Sequence, residues 1–80
     1  MDQQALDQLW RHLHEGLTSA SRSPAYERFP SLARRAKREA EQFAALPPPR
    51  SEDELNLRRL TATGMMSSWG ADFVQGCIEQ

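Results

Sequence analysis

The chain of 80 residues contains one cysteine, Cys77, so no internal disulfide can staple its fold. Nor is there a Cys/His cluster to hold a structural metal. His12 and His14 lie two apart on a predicted helix and point about 200° away from each other, whereas helical metal pairs sit at i,i+3 or i,i+4. No glycine-rich phosphate loop is present, because Gly64, Gly70 and Gly76 are spaced six apart along a predicted helix. The acidic residues show no paired spacing in an apolar setting. Cys77 has no third group or oxyanion signature to make it a nucleophile, and as a residue on an apolar stripe it is expected to be buried. No catalytic, cofactor or metal site follows from these residues, and the chain is expected not to be an enzyme.

Long apolar runs are also missing. No window approaches the eighteen or so residues that span a bilayer, so no membrane association is expected. The start, Met1-Asp2-Gln3-Gln4, has neither the basic nor the apolar region of a signal peptide. With a free thiol suited to a reducing compartment, the expected location is cytoplasmic. An excess of charge of one sign is absent too, with ten Lys+Arg against eleven Asp+Glu. A dedicated nucleic-acid binder would be clearly basic, so nucleic acid is not the expected partner. Lys37 is the only lysine among the basic residues, and this arginine bias with abundant alanine suggests a GC-rich bacterial genome.

What is present is helical periodicity. Asp2 can cap a helix over about 3–21, whose apolar positions Leu6, Leu9, Trp10, Leu13, Leu17 and Ala20 form one stripe. Ser23-Pro24 reads as a cap with proline at the first helical position, opening a short turn at 24–29. Tyr26 and Phe29 are expected to close one end of the core. A second helix over about 30–45 buries a thin side made of Leu32, Ala33, Ala36, Ala40, Phe43 and Ala44. Its polar side carries Arg34, Arg35, Lys37 and Arg38, with Arg35–Glu39 and Lys37–Glu41 as i,i+4 pairs. Leu46 to Arg50 holds three consecutive prolines and forms a stiff connector at 46–50.

The last thirty residues dominate the chain. Ser51-Glu52-Asp53-Glu54 is a capping box, in which the serine accepts from the Glu54 amide and the glutamate reaches back. A long helix over about 52–78 follows, with Gly64 as the one place where a break could fall. It carries two apolar stripes. Leu55, Ala62, Met66, Trp69, Phe73 and Cys77 form one, and Leu57, Leu60, Gly64, Ala71, Val74 and Ile78 form the other. No alternating strand pattern occurs. The expected fold is all-α, a single domain over 1–80 built as a small three-helix bundle or extended helical hairpin without a sheet.

Two stripes on one helix exceed what an alanine-rich neighbour covers, and a domain this small often gains stability by oligomerising or binding something larger. Leu57, Leu60, Met65, Met66, Trp69, Phe73, Val74 and Ile78 are therefore the candidate protein interface, with Trp69 as its aromatic anchor. Core packing, a homodimer and a heterologous protein partner are the three fates open to this surface. Arg34, Arg35, Lys37 and Arg38 are a candidate electrostatic contact, either to nucleic-acid phosphates or to an acidic partner's rim.

In size and helical character the chain resembles small bacterial regulatory binders, among them antiactivators that sequester transcription factors such as quorum-sensing receptors, phage-encoded inhibitors and secretion chaperones. The resemblance implies a regulatory inhibitor that blocks a transcription factor's dimerisation or activity, and it carries no site residue across. A nucleic-acid-associated helical protein and a self-assembling structural subunit or chaperone are the alternatives.

Overall fold

A computed structural model describes residues 1–80. Three α-helices, α1 (Gln3–Ser21), α2 (Pro30–Ala44) and α3 (Glu52–Glu79), are joined by a 3-10 turn at Pro24–Arg28 and by the proline connector, with no strand. The fold is therefore all-α.

Each helix starts where local chemistry satisfies its free amides. The Asp2 carboxylate accepts from the Ala5 amide at 2.8 Å, and Pro30 opens α2. The Ser51 hydroxyl accepts from the Glu54 amide at 3.1 Å, one half of the capping box. The return bond goes one residue further than expected, from the Arg50 amide to Glu54 Oε2 at 3.0 Å. α3 is continuous through Gly64, so the glycine's propensity cost, about 1 kcal/mol, does not break it.

The helices run up, down and up, with α1 and α3 parallel. The Gln3 side chain at the start of α1 donates to the Pro49 carbonyl just before α3, at 3.1 Å. At the far end the Tyr26 and Phe29 rings pack on Phe73, with centroids 5.9 and 5.7 Å away. Ala36 and Ala40 are buried and present only methyl groups, which makes room between α1 and α2 for larger side chains. Leu6, Trp10, Leu17, Phe43, Leu55 and Trp69 fill that space. The result is a rod of 49 × 16 × 15 Å.

The proline connector is pinned at both ends. Pro49 is fully buried, and the Pro47 carbonyl accepts from Arg58. Arg58 is also 3.2 Å from Glu54 and sits over the Trp10 ring, 4.5 Å from its centroid. One side chain on α3 thus joins the connector to the core, a role that the sequence reading missed. Its only trace in the sequence was the Glu54–Arg58 spacing of four.

Candidate interaction face

The long helix α3 presents its two stripes to different surroundings. Leu55, Ala62 and Trp69 recur every seven residues and are buried against α1 and α2. Leu57, Leu60, Val74 and Ile78 are 64, 70, 55 and 72% exposed, and they lie about half a turn away at 100° per residue. These four make up most of the large apolar side chains that the chain exposes. The narrower strip around them between residues 56 and 78, Asn56, Leu57, Leu60, Gly64, Ser67, Ser68, Ala71, Val74, Gln75 and Ile78, contains no charged residue, and Arg59 and Glu79 flank it. In a chain where 26% of residues are charged, a solvated helix face of this length without one is a conspicuous departure.

The other expected interface residues lie elsewhere. Trp69 is a correction, because it is 0% exposed and its indole Nε1 donates to Glu39 Oε1 at 2.8 Å. The alanines of α2 leave a space that a large ring fills, so the residue expected to anchor a partner anchors the bundle. Met65 and Phe73 are half-buried. Met65 lines a shallow cleft with Glu39, Gln42, Phe43 and Leu46. Met66 is exposed but stands beside the buried side, away from the Leu57–Ile78 face. Cys77 is exposed, not buried as expected, because it falls at the edge of the covered side, where Arg28 Nη1 comes within 4.0 Å of its sulfur.

The basic residues of α2 do not form one free patch. Arg35 pairs with Asp72 of α3 at 2.6 Å and with Glu39 at 3.6 Å. Lys37 reaches back to Glu27 in the 3-10 turn at 2.9 Å, not to Glu41 as its spacing suggested. Arg34 and Arg38 remain exposed, and Arg34 makes a long contact of 3.5 Å with the Ser31 hydroxyl.

Glycine positions separate the two faces further. A Cβ on Gly76 would fall 2.9 Å from two Phe29 ring atoms, so packing against that ring requires glycine there. A Cβ on Gly64 would meet nothing within 4 Å. The bundle's own packing therefore does not account for Gly64. No helix is long and apolar enough to cross a membrane.

No protein-family model, curated protein or solved structure matches the chain.

Proposed function

We propose that the chain is a non-catalytic regulatory protein that binds another protein through the outward face of α3 and so blocks that protein's dimerisation or activity. The observation behind this reading is the exposure of Leu57, Leu60, Val74 and Ile78 on an uncharged strip of a helix already packed on α1 and α2. Exposed apolar side chains grouped at both ends of one uncharged helix face make that face the candidate interaction surface. Presentation of a preformed helix suits insertion into an apolar groove, and a rigid helix loses little entropy on binding. The resemblance to small bacterial antiactivators makes a transcription factor the proposed target class. The basic residues of α2 give a nucleic-acid reading less support, since Arg35 and Lys37 are already engaged in ion pairs.

The test is capture from nuclease-treated lysate of the native host, with a Leu60→Glu/Val74→Glu variant alongside. Both substitutions are on exposed positions, so circular dichroism should show unchanged helix content. The reading expects one protein to be retained by the original and lost by the variant. Reconstitution from the two purified components should then show 1:1 binding and loss of the target's own dimer. Equal retention by both proteins would place the interface elsewhere.

A further inference from the structure

We infer that a second copy of this chain is the resting occupant of the α3 face, paired antiparallel with a two-fold axis beside Ser67. The inference rests on the reading of α3 as an interface and names what covers it when no target is present.

The seam is written in the spacing. Positions 57, 60, 64, 67, 71, 74 and 78 alternate three and four apart, the repeat that keeps one side of a helix facing another helix along its whole length. The residues at 55, 62, 69 and 76 face the bundle, and they are the positions furthest from that seam. A second α3 can therefore pack back to back without touching α1 or α2.

Side-chain size along the seam is palindromic. Leu57 and Leu60 lie at one end, Gly64, Ser67 and Ala71 in the middle, and Val74 and Ile78 at the other end. A two-fold axis through the centre sets Leu57 and Leu60 of one copy against Val74 and Ile78 of the other, with small residues facing small residues. A two-fold interface must be self-complementary in this way. A parallel pair places every residue against itself and needs no palindrome, and an unrelated partner needs none either.

Gly64 fits the same seam. It weakens the helix and nothing in the bundle uses its missing side chain, which is equally true of Gly16 and Gly70, but of these three only Gly64 occupies a seam position. Close approach of another backbone near the centre of the seam, where Gly64 faces Ala71 of the other copy, gives it a purpose. Charge favours the antiparallel sense too. A parallel pair would bring two copies of the acidic first turn, Glu52, Asp53 and Glu54, to one end. The antiparallel pair separates them by the length of the helix, about 40 Å at 1.5 Å per residue. A strip of that length and about 10 Å wide, covered on both copies, buries about 800 Å² in total, short of the roughly 1,000 Å² of a stable specific interface and in the range of weak, transient ones. The dimer is accordingly weak enough for a target to displace.

Sedimentation equilibrium on the purified protein tests this first. The mass should rise with concentration from 9.1 kDa toward twice that value across the micromolar range, with little change on adding salt. Leu60→Glu/Val74→Glu should keep its helix content and stay monomeric, its self-affinity lowered at least about 30-fold. A protein that is monomeric at several hundred micromolar overturns the inference. Orientation is read by oxidation in a Cys77→Ser background. Leu60→Cys should cross-link to Val74→Cys or Ile78→Cys in a mixture and not to itself. Self-linking of Leu60→Cys, or of Ile78→Cys, overturns the antiparallel arrangement. Lysate capture keeps the two readings apart. A monomer that still captures a target loses only the dimer, and a dimer that captures nothing loses only the heterologous target.

Discussion

Replacing Trp69 by alanine separates a core residue from a binding anchor more sharply than any other single change. Its side chain is fully buried, and its indole nitrogen is bonded to Glu39 Oε1 at 2.8 Å. Truncating a buried tryptophan costs about 3–5 kcal/mol through lost transfer energy and the cavity left behind. A chain of this length has a total stability of about 4–12 kcal/mol at 0.05–0.15 kcal/mol per residue. Trp69→Ala should therefore remove a quarter of the stability or more. With a urea dependence of about 1–1.5 kcal/mol per molar for a small domain, the midpoint should fall by roughly 3 M.

The assay is urea unfolding followed by circular dichroism, in a Leu60→Glu background so that self-association does not contribute to the apparent stability. Trp69→Phe is the companion. It keeps much of the apolar bulk but deletes the donor to Glu39, and should cost about 2 kcal/mol, between a lost charge-assisted hydrogen bond and a partial cavity. A Trp69→Ala midpoint within 1 M of the parent would sink the reasoning. It would return Trp69 to the exposed surface where the sequence pattern had suggested it.

Two glycines should respond with opposite signs. Gly76→Ala drives a methyl group to 2.9 Å from the Phe29 ring and disturbs its edge-on contact with Phe73, so a net loss of about 1 kcal/mol is expected after the helix-propensity gain. Gly64→Ala meets nothing in the bundle and should stabilise the monomer by about 0.5–1 kcal/mol, with both changes read by urea midpoints in the Leu60→Glu background. Arg58→Ala removes the cation over Trp10, the Glu54 pair and the bond to the Pro47 carbonyl from a side chain only 13% exposed. It should cost about 2 kcal/mol and lower the melting temperature by about 10 °C, while an unchanged melting temperature would show that the connector is not held by this residue.

Most of the architecture was legible because it is written locally. Asp2, Ser51 and the prolines at 24, 30 and 47–49 mark helix limits through hydrogen-bonding capacity, which needs no knowledge of the rest of the chain. Contacts across the bundle were not legible. Arg35–Glu39 was readable from its spacing of four, but Arg35–Asp72, Lys37–Glu27 and Trp69–Glu39 depend on how the helices dock. The error over Trp69 has a specific cause. By size alone the alanines of α2 look too small to cover a second stripe, whereas small residues on one helix are what allow a large ring on another to be buried.

The same logic runs in reverse on the outward side of α3. At Gly76 a missing side chain is matched by the Phe29 ring that occupies the space, and that contact accounts for the helix propensity lost. At Gly64 an equal cost is incurred and no atom of the chain occupies the space. Two readings follow, a glycine tolerated without benefit or a glycine fitted to a neighbour outside the monomer. Its setting decides between them. Gly64 lies on the uncharged face, at a seam position, among other small residues flanked symmetrically by the exposed side chains of Leu57, Leu60, Val74 and Ile78. Gly16 and Gly70 are just as open and lie off the seam, so empty space alone does not single out Gly64; its place beside the centre of the seam, opposite Ala71 of a second copy, is what suits a close helix crossing.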